Sequence, residues 1–392
     1  MIPIADALRE ILARARQLGA EPVPLAAGLD RVLRVAACTD LDSPPFDASA
    51  MDGYALRRAE AEKHLRVVGT SQAGVAFTGQ VEAGQCVRIF TGAPVPNGAD
   101  WVVKQEDTTR DGEIVTVSAL GPGHIRRRGE NRRAGEIVVA AGTRLGPAEL
   151  AALASGGITT PLVTRRPRCV HMVTGDELVA PDQVPAGAQI RDSNSALIAA
   201  LLARHGADLV GHVHVRDNLA AAQAAVAALP AHDVLLISGG ASVGDHDFAR
   251  PLLSTLGYAL HFQQVNLRPG KPLVFASRGD RLAFALPGNP VSHWVTFHLF
   301  VAPLLDKFAT GLDANPRPLR GRLAAGGTLP TREARQTIWP ARAAVVDGQY
   351  ELTLLTLASS GDGSGLVGAN ALVPLPANGL DLERPVDFIS CP

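Results

Sequence analysis

Small-residue loops that free backbone amides, carboxylates at their ends and a few cations beside them are the residues of this 392-residue chain that could do chemistry together. The run Val234-Leu235-Leu236-Ile237-Ser238-Gly239-Gly240-Ala241-Ser242-Val243-Gly244-Asp245 shows the pattern most fully: four apolar residues enter a loop with two hydroxyls that closes on a carboxylate. Its glycines let bare N–H groups approach an anion closely, as in a phosphate cradle; a tight strand-to-helix turn would use the same glycines. Similar loops follow other apolar runs at Thr174-Gly175-Asp176-Glu177, Arg268-Pro269-Gly270-Lys271 and Pro287-Gly288-Asn289-Pro290-Val291-Ser292. Hydroxyls, glycines, two cations and several carboxylates together suit a phosphorylated ligand with a divalent metal. No G-x-G-x-x-G opens a helix and no G-x-x-x-x-G-K-[ST] occurs, which disfavours a dehydrogenase and a P-loop NTPase.

Two further stretches carry charge. In Ser43 to Ala55, prolines forbid regular structure, Phe46, Met51 and Tyr54 can anchor the chain, and Asp47 and Asp52 stay free. Five arginines crowd His124 to Arg133, where they repel one another unless solvated or given an anion. His212 and His214 face one side of a strand by period two, but no third ligand can be named, so packing is the better reading than a metal site. There is no serine-hydrolase elbow, and the three tryptophans are too dispersed for a base-stacking platform.

The elements that must position these loops follow from periodicity. Apolar spacing predicts a helix from Ile4 to Leu18 stopped by Gly19, short β-runs between Leu65 and Val117, and a helix over Pro147 to Ser155. The two helices are expected to pair, giving a discontinuous domain (1–42 and 134–165) interrupted by a β-rich insertion (43–133). From Arg168 strands and helices alternate: a strand at Cys169 to Val173, a helix from Ser193 to His205, a strand at Ala207 to Val215, a helix from Leu219 to Leu229, then the Val234 strand. That order predicts a multidomain α/β chain with a doubly wound, mostly parallel sheet (166–312), which binds ligands beyond the carboxyl ends of its strands. Short strands beyond Pro316 predict a C-terminal β barrel (313–392).

Composition sets the outer limits. The 37 Lys and Arg balance 38 Asp and Glu, which argues against nucleic acid or a membrane surface as partner. No apolar run approaches the ~20 residues of a membrane span, no export signal is seen, and four scattered cysteines suit a reducing, cytoplasmic setting.

Taken together the motifs resemble one family. Pro45 to Ala55, Thr91 to Asp100 with Gln105-Glu106-Asp107, Arg127-Arg128-Gly129-Glu130, Thr174 to Leu178, Ile190-Arg191-Asp192-Ser193-Asn194, Ser238 to Asp245, Pro269 to Pro272 and Leu286 to Ser292 are similar, in order, to the molybdopterin molybdenumtransferases, MoeA in bacteria and the gephyrin E domain in animals. The resemblance implies an elongated four-domain homodimer with a shared active site that moves molybdenum from molybdate into adenylated molybdopterin, releasing AMP with Mg2+. It also implies a molybdopterin adenylyltransferase as partner. On that resemblance Asp52, Glu177, Asp233 and Asp245 are the catalytic acids, with Glu177 and Asp245 on the metal. Ligand contacts fall to Thr91, Arg127, Glu130, Thr174, Gly175, Asp176, Arg191, Asp192, Ser193, Asn194, Ser238, Gly239, Gly240, Ser242, Gly244, Arg268, Gly270, Lys271, Pro287, Gly288, Asn289, Pro290 and Ser292. Four places depart from the family pattern: Asn131 stands where an aspartate is usual, Arg268 where a lysine is usual, Ala48 where an asparagine is usual, and Gly363-Ser364-Gly365 aligns only loosely. The competing expectations are an altered paralogue that scaffolds the pathway and an enzyme for another nucleotidylated substrate.

Overall fold

The computed structural model describes residues 1–216, 218–240, 249–313, 318–324, 334–375 and 384–391. Two units divide the chain, Pro22–Val163 and the remainder, Met1–Glu21 with Thr164–Pro392. Among the described residues no helix is long and apolar enough to cross a membrane.

The larger unit is built on a six-stranded sheet ordered Asp208–Val215, Arg168–Thr174, Val234–Ser238, Arg281–Leu286, Val274–Arg278, Ala259–Phe262. Its first four strands are parallel and the last two pairings antiparallel. Val234–Ser238 is buried along its whole length, as a strand covered on both faces must be, and that is why it reads as an unbroken apolar run. Cys169, Leu236 and Phe284 face a core shared with the helices Asn194–Arg204 and Pro290–Thr296, whereas Val170, Leu235, Ile237 and Ala283 face Leu219–Ala228 and Ala249–Thr255. The antiparallel strand Val274–Arg278 has no counterpart in the pattern reading. After the Pro287 loop a helix begins at Pro290 and continues through a π-helical turn, Phe297–Val301, into Ala302–Thr310.

C-terminal to this, Leu319–Leu323, Gln336–Val346, Gln349–Leu354, Ala371–Leu375 and Val386–Ser390 close a five-stranded ring, because Gln336–Val346 pairs with both Gln349–Leu354 and Ala371–Leu375. The expected barrel is present, and its edges are removed by closure.

In the other unit a six-stranded sheet runs Trp101–Lys104, Gly53–Leu56, Gln85–Ile89, His64–Ser71, Ile114–Val117, Thr108–Asp111. A second small core gathers Val23, Leu33, Ala37, Val139, Leu145, Leu153 and Val163 from both sides of that insertion. One expectation fails here. The N-terminal helix, Ile4–Leu12, does not pair with Pro147–Ser155: its Ala7 and Ile11 are buried with Phe297, Leu304 and Phe308 in the larger unit, while Leu153 belongs to the small core. Amphipathicity shows that a helix needs a partner but not which one.

Asp233 is a second correction. It precedes Val234–Ser238, so it lies at the amino edge of the sheet, roughly 16 Å of strand from the loop that Ser238 begins. There the Arg165 guanidinium donates two hydrogen bonds to it, both 2.7 Å, and the Arg168 amide a third at 2.8 Å. Burial alone would raise this carboxyl, but those donors outweigh it and hold it below the ordinary value. The group stabilises the fold in its ionised form above the unfolded pKa of about 4, and that stability is lost as pH falls through the lower folded value. Asp233→Asn should therefore lower the melting temperature at neutral pH, by about 1–3 kcal/mol in stability. In melts across pH 2–7 the gap to the parent should close below about pH 4.

Candidate functional site

The chain segments following Arg168–Thr174, Val234–Ser238 and Arg281–Leu286 meet at the carboxyl edge of the central sheet through close approach at Thr174, Gly239 and Gly288, and Gly270 packs on the helix that follows the third. Gly239 has φ 92°, and a Cβ there would sit 2.6 Å from the Thr174 carbonyl oxygen and 3.1 Å from Thr174 Oγ1. Gly288 opposes Gly239 across the loop mouths, the Gly239 Cα lying 3.8 Å from where a Gly288 Cβ would be. The Gly288 carbonyl accepts a 2.6 Å hydrogen bond from Asn194 Nδ2. Gly270, φ 119°, packs under Thr296, whose Cγ2 would meet a Cβ at 2.7 Å. Glycine is required at 239 and 270 because both the φ value and the space exclude a side chain.

Individual groups differ in what they have left to offer. Asp176 and Glu177 are exposed, and the Glu177 carboxylate curls back over Gly175, 2.7 Å from where its Cβ would be. Asp192 is committed: Ser195 donates to it from its amide at 3.0 Å and from its hydroxyl, at the start of the helix Asn194–Arg204. Arg191 donates to the Gln183 carbonyl at 3.0 Å, and Ser193 is exposed at the helix start. Thr174 Oγ1, Asn194 Oδ1 and His293 Nε2 are buried and lack hydrogen-bond partners among the described residues. Unpaired buried polar atoms are costly, so three at one sheet edge mark a place that a ligand or water completes. Arg268 and Lys271, on the loop that carries Gly270, are half-buried, and Pro287, Pro290 and Ser292 belong to the last loop. Asn289 Nδ2 donates to Ser360 Oγ at 2.8 Å, and Pro290 lies under Gly363, which brings the Ser359–Gly365 segment against this loop. Ser242, Gly244 and Asp245 lie outside the described residues.

His171 and His293 escaped the sequence reading. His293 is fully buried, its Nδ1 3.1 Å from the Pro287 carbonyl, and burial pushes it down to about 4. His171 lies 2.6 Å from the Ser238 hydroxyl. Period-two patterning could have aimed His171 at that face, but not chosen its partner.

In the Pro22–Val163 unit, Asp52 ends the turn into Gly53–Leu56 and accepts from Thr91 twice, amide 2.7 Å and hydroxyl 2.8 Å. The Thr91 amide, then its hydroxyl, hold this carboxyl below its ordinary value. Gly53 permits the arrangement, since a Cβ would meet the Val103 carbonyl at 1.8 Å. The arginine run finds its anions within the protein. Arg126 pairs with Glu130 at 2.7 Å, Arg127 with Asp47 at 2.6 Å and Arg128 with Asp42 at 2.5 Å. Arg126 also donates to Asn131 Oδ1 at 2.6 Å, so the amide oxygen serves where a carboxylate oxygen would. Among the described residues no three His, Cys, Asp or Glu side chains converge as a metal cage.

Residues 2–157 match the MoeA N-terminal region (domain I and II), and residues 171–307 match a probable molybdopterin binding domain. A molybdopterin molybdenumtransferase of Nostoc sp. is 37% identical over 374 residues, covering 92% of this chain and 86% of that protein. The chain belongs to the molybdopterin molybdenumtransferase family. A second member, from Haemophilus influenzae, is 35% identical over 308 residues, 75% of this chain and 76% of that one. The solved structure of a molybdopterin biosynthesis MoeA protein from Pyrococcus horikoshii aligns with a TM-score of 0.80 at 26% identity, over 99% of this chain and 97% of its own. The family's probable molybdopterin binding domain thus spans the Thr174, Ser238, Arg268 and Pro287 loops.

The glycine requirement can be tested on stability. Gly239→Ala should cost about 1–3 kcal/mol more than Gly142→Ala. Both positions have positive φ, but only the first would press a methyl onto backbone. Paired urea titrations of the two variants measure the difference.

Proposed function

We propose that this protein transfers molybdenum from molybdate into adenylated molybdopterin, releasing AMP and leaving molybdenum cofactor. The observation that carries this reading is the approach of the Thr174, Gly239 and Gly288 loops at the carboxyl edge of the parallel sheet, where Thr174 Oγ1 and Asn194 Oδ1 have no partner among the described residues, with the half-buried cations Arg268 and Lys271 in the same domain. Backbone N–H groups at Gly175, Gly239, Gly240 and Gly288 suit a phosphate, and Lys271 with Arg268 offsets its charge. Thr174 Oγ1 can donate to a phosphate or molybdate oxygen, and Asn194 Oδ1 can accept from a pterin N–H.

Magnesium fits the donors present. The ion is commonly held by one or two carboxylates together with substrate phosphates, and Glu177 presents an exposed carboxylate where Asp192 is already committed. We assign Glu177, with Asp245, to hold it, and its chemistry when bound is to counter charge developing on the departing AMP phosphate. Asp52 is ionised at neutral pH, so its role is to accept a hydrogen bond or proton rather than to give one. Asp233 takes no part, because its ion pair belongs to the opposite edge of the sheet.

The scaffold alternative has little left to support it, since Asn131 keeps an oxygen on Arg126. A homodimer with a shared active site, an adenylyltransferase partner and a cytoplasmic location complete the proposal on the strength of the family likeness.

Turnover of adenylated molybdopterin with molybdate and magnesium, followed as AMP release and cofactor formation, tests the reading. Glu177→Gln should fold normally and lose metal-dependent turnover by roughly 100-fold or more, and unchanged turnover would remove it from the site. Asn131→Asp should raise turnover in the same assay, because it keeps the oxygen facing Arg126 and adds the charge usual in the family.

A further inference from the structure

His171 occupies a position that apolar packing alone would not give to an imidazole. It is fully buried on the face of Arg168–Thr174 that also carries Cys169. Burial pushes it down to about 3, so the ring is neutral and has one donor and one acceptor. Both nitrogens are engaged: Nε2 lies 2.6 Å from Ser238 Oγ and Nδ1 lies 3.2 Å from His212 Nδ1. The two imidazoles stack, with centroids 5.1 Å apart and planes 23° apart.

Only two proton arrangements satisfy this line when both imidazoles are neutral. In one, the Ser238 hydroxyl donates to Nε2 and the His171 Nδ1–H donates to His212. In the other, the His212 Nδ1–H donates to His171, whose Nε2–H donates to Ser238 and turns the hydroxyl proton away from the ring. Either way the Ser238 side chain is held inward, fully buried. Ser238 therefore cannot be a freely presented ligand contact, and its hydroxyl anchors the chain immediately before Gly239 and Gly240. Those two residues take φ values of 92° and 64°, a pair of left-handed conformations that needs an anchored start to keep the amides aimed.

We propose that His171, held by His212, is a positioning residue that fixes the anion-holding loop through the Ser238 hydroxyl. The inference rests on the transferase reading for its kinetic consequence but not for its structural one.

The test uses the full chain with His171→Val, His171→Gln, Ser238→Ala and the double variant His171→Val with Ser238→Ala. Amide hydrogen exchange of Gly239 and Gly240, which needs no substrate, should quicken about tenfold in His171→Val and in Ser238→Ala. With adenylated molybdopterin, KM should rise about tenfold in each single variant while kcat changes less than about threefold. The double variant should be no worse than either single one, because both break the same link. His171→Gln, which keeps an N–H near the Nε2 position, should recover most of the loss. Unchanged exchange at Gly239 and Gly240 in His171→Val, or additive losses in the double variant, would overturn the proposal. Should the unaltered protein fail to turn over while the exchange effects hold, the transferase reading falls and the positioning role stands.

Discussion

The site depends on how closely two strand ends approach. At Gly239 the backbone runs so near the Thr174 carbonyl that a methyl group would overlap it by most of an ångström, and the parallel pairing of Arg168–Thr174 with Val234–Ser238 leaves no slack to relieve it. That pairing is itself fixed by burial on both faces. Core packing thus sets the loop geometry, and the loop geometry selects glycine. The same logic extends to Gly288, whose mouth opposes Gly239, and to Gly270, which is pressed under Thr296. A ligand-holding surface of backbone amides is in this sense a product of the hydrophobic core beneath it.

Electrostatics is organised differently in the Pro22–Val163 unit. A run of arginines must by its sequence be solvated or given an anion, and Asp42, Asp47 and Glu130 supply carboxylates to Arg128, Arg127 and Arg126. All three acids are held below their ordinary values, by the Ala134 amide first for Asp42, by the Arg128 amide first for Asp47 and by the Arg126 guanidinium first for Glu130. These pairs are exposed, so they contribute little to stability; what they fix is the conformation of the turn. Asn131 joins that network through its oxygen and reaches Ser43 Oγ weakly at 3.4 Å through its nitrogen, which explains how the departure from a carboxylate is accommodated.

What the sequence disclosed and what it withheld divide along physical lines. The alternation of apolar runs and glycine loops placed the central strands nearly to the residue, because a strand buried on both faces leaves an unmistakable run. The barrel was legible as short strands between turns, although Leu319–Leu323 and Val386–Ser390 were too weakly patterned to stand out. The family resemblance grouped Asp233 with Asp245, although residue order already puts Asp233 before the Val234 strand and Asp245 after it, and the ion pair with Arg165 shows what Asp233 does there. The partner of the Ile4–Leu12 helix was invisible: its apolar stripe specifies a need for burial, and long-range packing decides where. His171 was hidden because a histidine inside an apolar run carries no local mark of the hydroxyl it meets 67 residues away.

The last loop of the site is completed from outside its own sheet. Asn289 reaches Ser360, the Val291 amide donates to the Ser360 carbonyl at 3.1 Å, and Asp362 gathers the Ser364 hydroxyl with the amides of Ala358 and Gly365. The Ser359–Gly365 segment, which links barrel strands Gln349–Leu354 and Ala371–Leu375, is therefore folded on its own carboxylate before it touches Pro290. Such a preorganised strut costs little entropy when the loop is occupied, because its backbone is already fixed. The barrel then has a role beyond closing its own edges: it supports the Pro287–Ser292 loop from the side that the central sheet cannot reach.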